Sequence, residues 1–237
     1  MVKFTPLVVA AIIATTAAAD AQSHTAIAPG ASYRKWEPIK EIGIQWRKRV
    51  WREVDMTEAT NAFFNAPAMG NALIDVLMTG AKDKSIQVYS SIGDRFTTTL
   101  AYDQLVAQLK DKTLLAGVDG KQCANMNYMP SAVHKYIIKE DWLFLREEKK
   151  MVVRIVGIAP VGKVVGPDGA IADQPLFWCY YPDSREFLSR YAVAVAGQET
   201  TWEAVFGTRT FKSTIVKAGD TRVREEIGPG MYQWQKQ

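Results

Sequence analysis

The chain has 237 residues, 48% of them hydrophobic and 23% charged, with 16 Gly and 10 Pro. These proportions belong to an ordinary folded domain and exclude a largely disordered chain, a collagen-like fibre and a low-complexity repeat. Two Cys and two His exclude a disulfide-dense scaffold and leave little for a structural zinc site, and the net charge is +4.

Lys3, an apolar stretch over residues 7–19 and the small-flanked Ala19-Asp20-Ala21 have the layout of a secretory signal peptide, residues 1–21, cleaved after Ala21. The apolar stretch is shorter than the roughly 20 residues a membrane-spanning helix needs. No Cys stands beside the expected cut, so no lipid anchor of its own is expected. Export makes the two cysteines informative. In an oxidising compartment Cys123 and Cys179 could form a disulfide. The Leu-Phe-Trp-Cys-Tyr run around Cys179 suits a buried apolar residue equally well.

Residues 22–33 are small and polar and read as a flexible leader. Residues 34–54 then carry seven basic residues (Arg34, Lys35, Lys40, Arg47, Lys48, Arg49, Arg52) against Glu37, Glu41 and Glu53, which equals the net charge of the whole chain. Trp36, Trp46 and Trp51 fall in the same stretch. Interleaved Arg and Trp suit a protein interface, a nucleic acid or an anionic membrane surface, or equally an amphipathic element whose Trp side chains pack on a core. The spacing of Ile42, Trp46, Val50 and Val54 approaches the helical period, while Val50, Val54 and Met56 also alternate with charged residues, so helix and strand both fit. We read residues 22–57 as a leader and basic aromatic arm, with Arg47, Arg49, Trp51 and Arg52 as candidate partner anchors.

A single core domain is expected over 58–217. Asp55 with Glu58 resembles a capping box before a short helix. Leu73, Val76 and Leu77 predict a helix over 71–81 that ends at Gly80. A second helix is predicted over 100–111, with Thr99 as its N-cap and Tyr102, Leu105, Val106 and Leu109 on one face. Residues 86–89 between them read as a short strand. Residues 112–135 show no period and read as a long loop.

Residues 136–145 and 151–158 then form an antiparallel hairpin around the charged turn 146–150. A Gly-Pro-Asp-Gly turn at 166–169, a strand over 176–181 stopped by Pro182, and a short helix from 183 through Leu188 follow. Thr201 caps a helix over 202–206, and 210–217 is the final strand. The tail 218–237 is Gly-rich and charged and reads as loose. Helices before a run of strands predict an α+β fold, with an antiparallel sheet built mainly from the C-terminal half, a few short helices packed on it and the basic arm before it.

Catalytic signatures are scarce. His24 lies in the leader, and His134 has no accompanying nucleophile motif. Glu140 and Asp141 are neighbours on a predicted strand and point to opposite faces, so they cannot share one site. No Gly-rich phosphate loop precedes a helix, so no enzyme, cofactor or metal centre is expected. Export argues against a nucleic-acid partner.

Six segments carry a family resemblance. They are residues 50–55 (Val-Trp-Arg-Glu-Val-Asp) before Phe63-Phe64, and 73–77 (Leu-Ile-Asp-Val-Leu). Residues 96–100 (Phe-Thr-Thr-Thr-Leu) follow, and then 136–142 running into 151–160, the most specific. Residues 176–182 (Leu-Phe-Trp-Cys-Tyr-Tyr-Pro) and 211–217 (Phe-Lys-Ser-Thr-Ile-Val-Lys) complete the set. In this order, over about residues 45–217, the chain resembles the gliding-motility protein N family, GldN or PorN. The Ala-rich residues 60–62 and 65–67 depart from the family pattern.

The resemblance implies a non-enzymatic periplasmic component of the type IX secretion and gliding machinery. It implies a ring formed by self-association and by binding an outer-membrane lipoprotein, GldK or PorK. The ring would be coupled to the periplasmic part of an inner-membrane motor, GldM or PorM. It also implies peripheral attachment to the inner face of the outer membrane through the partner, with no direct membrane insertion. The alternative reading is a stand-alone periplasmic hydrolase or cell-wall-binding protein.

Overall fold

The computed structural model describes residues 33–116, 121–122, 132–219 and 221–227. The expected signal peptide, the start of the leader, Cys123 and the last ten residues of the tail lie outside the described residues.

Strand β1 (Ile44–Asp55) resolves the ambiguity of the basic segment. Its side chains alternate, with Val50, Arg52 and Val54 buried and the residues between them half-exposed. A period of two is the signature of a strand with one covered face. A 3₁₀ turn at Ala59–Phe64 and helix α1 (Leu73–Lys82) follow, then the short strands β2 (Val88–Tyr89) and β3 (Thr99–Leu100), and helix α2 (Tyr102–Lys110). Next come β4 (Thr113–Ala116), β5 (Lys121–Gln122) and the long hairpin of β6 (Val133–Leu145) and β7 (Lys150–Val165). The chain continues through β8 (Ile171–Pro175), β9 (Trp178–Tyr180) and helix α3 (Tyr181–Leu188). A hairpin of β10 (Ala192–Val195) and β11 (Gln198–Thr201) leads to helix α4 (Trp202–Thr208). Strands β12 (Ser213–Ala218) and β13 (Thr221–Ile227) close the described fold.

The main sheet is antiparallel and runs β13-β12-β1-β6-β7-β9-β2-β3, with β4 and β8 added to the far half of β7 and β5 added to β4. One face carries Val54, Tyr136, Ile138 and Ile155 and packs against the helices, where Phe64, Trp202, Phe206 and Phe211 form an aromatic cluster. The expected α+β class, with most strands in the C-terminal half, is the observed one.

Three elements depart from the sequence reading. The expected arm is not separate from the core beyond residue 43, because β1 lies between β12 and β6 inside the sheet. The expected loose tail from 218 contains β13, paired along β12. The expected loop 112–135 contributes β4, β5 and the first residues of β6.

Local signals also moved. Gly80 lies within α1 rather than ending it. A Cβ there would meet Ile86 Cδ1 at 2.7 Å, so the glycine serves close packing. Thr99 pairs with Tyr89 in the sheet, and the N-cap of α2 is Ala101, whose N–H donates to Gln104 Oε1 at 2.9 Å. Thr201 is the predicted cap, its Oγ1 accepting from the Ala204 N–H at 3.2 Å.

Candidate partner-binding surface

Because β1 is a strand, its four candidate anchors separate by parity. Arg47, Arg49 and Trp51 point away from the helices, and Arg52 points toward them. Arg52 is 1% exposed and lies inside the protein. Its Nε donates to Glu140 Oε2 at 3.0 Å and its Nη1 to Ser213 Oγ at 2.8 Å. Glu140, fully buried, also accepts from Arg209 Nε and Nη2, each at 3.1 Å, and from Trp142 Nε1 at 3.0 Å. Burial pushes the Glu140 carboxyl up, but the charges of Arg52 and Arg209 outweigh burial and hold it below its ordinary value. As a partner anchor, Arg52 is corrected to a member of a buried Arg–Glu–Arg network. A guanidinium so enclosed cannot meet another protein without the sheet opening.

The Glu140 and Asp141 side chains do point to opposite faces. Asp141 accepts from Arg49 through both oxygens, at 2.6 and 2.8 Å. This bidentate bond raises the pKa of the Arg49 guanidinium. Trp51 Nε1 donates to Asp94 Oδ2 at 2.6 Å, and Lys217 Nζ sits over its ring at 4.3 Å.

Asp94 belongs to the loop between β2 and β3, which lies across this outer face. Lys139 donates to the Asp94 carbonyl, approaches its carboxylate at 3.2 Å, and lies between the Trp51 and Phe96 rings. Burial pushes Asp94 up, yet the bond and charge of Lys139 hold its carboxyl below the usual value. Burial lowers Lys139 against the opposing pull of Asp94. Phe96 rests on Gly157, where a Cβ would come within 2.4 Å of the ring. Asp94 and Lys139 were missed by sequence reasoning. The only signal was that Lys139 stands opposite Trp51 once β1 and β6 are paired.

Arg47 remains at the surface, its Nη2 donating to the exposed Glu41 at 2.7 Å. The segment 33–40 is anchored by Trp36, whose ring stacks between Arg154 at 4.5 Å and Arg185 at 4.2 Å and packs on Tyr181.

Other candidate chemistry does not converge. His134 Nε2 lies 3.0 Å from Asp173 in a surface ladder with Lys135 and Glu53, and burial lowers the imidazole pKa. Cys179 is buried and its thiol is pushed up by burial. Its expected partner Cys123 is not among the described residues. Among the described residues no three His, Cys, Asp or Glu side chains gather as a metal site would require. A cleft of about 700 Å³ opens between the 3₁₀ turn at Ala59–Phe64 and the β10–β11 hairpin, lined by Thr60, Phe63, Thr200 and Thr210, with Glu199 its charged residue. No helix among the described residues is long and apolar enough to cross a membrane.

Residues 39–232 match the family model described as gliding motility associated protein GldN. No curated protein matches the chain. The matched span covers every described strand and helix and most of the sequence, so the chain belongs to the GldN family.

Proposed function

We propose that this chain is a non-enzymatic, periplasmic structural component of the type IX secretion and gliding machinery. In this reading it assembles into a ring with an outer-membrane lipoprotein of the GldK or PorK kind, coupled to the periplasmic part of a GldM- or PorM-type motor. The observation that carries the reading is the family match across residues 39–232.

The disposition of charge supports it. The buried ionisable side chains Arg52, Lys139, Glu140, Arg185, Glu203 and Arg209 pair with one another or with the loop over the sheet. They brace strands and helices instead of lining the 700 Å³ cleft. Such wiring suits a rigid block that transmits force between neighbours.

Deleting the gene tests the reading. Unsecreted cargo should accumulate in the periplasm, and gliding should cease where the organism glides. Normal secretion in a clean deletion refutes it, and favours a stand-alone hydrolase or cell-wall-binding protein. The purified chain should co-elute with the lipoprotein, and should not bind lipid vesicles tightly without it.

A further inference from the structure

Three strands extend beyond the rest of the sheet. Among the described residues β12 meets β1 only from Val50 onward, and β9 meets β7 only at Gly157 and Ile158. The first half of β1, the end of β6 and the start of β7 therefore project as a three-stranded finger, joined at its tip by the turn 146–149. On the face that continues the core, Trp46, Phe144 and Met151 stand side by side across the three strands. Burial fades along this face: Glu140 is enclosed, Trp142 is half-buried, and Trp46 is 44% exposed. Ile42, just before the first strand and beside the tip turn, is 86% exposed. An apolar row on an ordered sheet, with Trp46 exposed and Phe144 and Met151 half-buried beside it, is the kind of patch that marks an interaction site.

We propose that this face of the finger docks a second, different protein whose contacting surface is apolar at its centre and acidic at its border. The proposal takes from the proposed function only that the chain works inside an assembly. The charge around the row selects the occupant. Lys48 is exposed on this face, and Lys40, Arg146 and Lys149 are exposed at its tip end against Glu147 and Glu148, while the charge of Arg47 is met by Glu41. A second copy of the chain would bring like charge to like charge, which costs several kcal/mol at an interface. An anionic membrane would meet the mixed-charge tip turn 146–150 first, with the Trp46–Phe144–Met151 row turned sideways. An acidic-rimmed protein satisfies both the row and its border.

The experiment places p-benzoylphenylalanine at Trp46 in the full chain in cells, with the same residue at Asp103, exposed on α2, as control. Irradiation should join position 46, and not 103, to one acidic envelope protein. The adduct should disappear in the Lys48→Glu variant, whose changed side chain shares the face of Trp46. With the captured protein purified, Trp46→Ala should weaken binding at least about 30-fold, as loss of an aromatic hot spot does, while the melting temperature of the free chain stays unchanged. No adduct at 46, an adduct with a second copy, or an adduct insensitive to charge reversal overturns the proposal, as does tight binding of the pure chain to anionic phosphatidylglycerol vesicles. Capture of an acidic protein other than the lipoprotein upholds the finger and counts against the proposed lipoprotein pairing, so the two readings fail separately.

Discussion

The buried network around Glu140 makes a quantitative demand. Glu140→Gln keeps the side-chain volume, so it opens no cavity, and removes only the negative charge. Two guanidiniums, Arg52 and Arg209, then remain buried without the carboxylate between them. Removing one member of a buried ion pair costs about 3–5 kcal/mol, because the partner's desolvation is no longer offset. With a urea m-value of about 1–3 kcal/mol/M, the denaturation midpoint should fall by at least about 1 M.

Replacing the whole network by apolar side chains, as Arg52→Met, Glu140→Leu and Arg209→Met together, should recover much of that loss. The pH dependence has a defined sign. The folded carboxyl titrates below its ordinary value of 4.5, so its stabilisation is complete above that pH and is lost as pH falls through the folded value. Glu140→Gln should therefore be less stable at neutral pH and show a flatter decline below about pH 4.5. A midpoint shift under about 0.3 M, or an unaltered acid limb, refutes the account of a desolvated, charge-compensated centre.

Asp94→Ala withdraws the carboxylate from Lys139 and Trp51 and should cost about 1–3 kcal/mol, with proteolytic cleavage appearing between residues 90 and 98; an unaltered cleavage pattern would show that Asp94 does not pin the loop. Arg47→Ala, by contrast, removes an exposed pair and should change stability by no more than about 1 kcal/mol in the same denaturation assay. Gly157→Ala drives a methyl into the Phe96 ring and should cost about 1–3 kcal/mol, an effect that combining it with Phe96→Leu should relieve in thermal melts. Thr201→Ala removes the cap of α4 and should cost about 1 kcal/mol, read as faster hydrogen exchange at the Ala204 amide.

Much of the sheet was legible because period two and turn chemistry are local. The β6–β7 hairpin and the Thr201 cap declare themselves in a few consecutive residues. The β10–β11 hairpin did not. Its two-residue turn, Ala196-Gly197, holds both residues at positive φ, 50° and 80°, and the first is an alanine where Asn, Asp or Gly is usual. Strand β13 was hidden for another reason. Its pairing with β12 is a tertiary fact, and a run of charged residues at a sheet edge has the composition of a solvated tail.

The candidate anchors show where pattern reading reaches its limit. Arg47, Arg49, Trp51 and Arg52 look equivalent as a basic aromatic run, and helix and strand fit the run about equally. Once the strand is fixed, parity alone divides them: the odd positions Arg47, Arg49 and Trp51 meet Glu41, Asp141 and Asp94 on the outer side, and the even one, Arg52, meets Glu140. The net charge that seemed to mark one arm therefore has two physical roles. Arg52 and Arg49 are consumed within the sheet, the first by a buried carboxylate and the second by a bidentate surface pair. Lys40 and Lys48 stay exposed near the Trp46–Phe144–Met151 row. A partner drawn by the charge of this region must meet it at the finger, where Trp46 is the exposed tryptophan, and not at the middle of β1, where Trp51 lies beneath Lys139, Lys217 and the Asp94 loop.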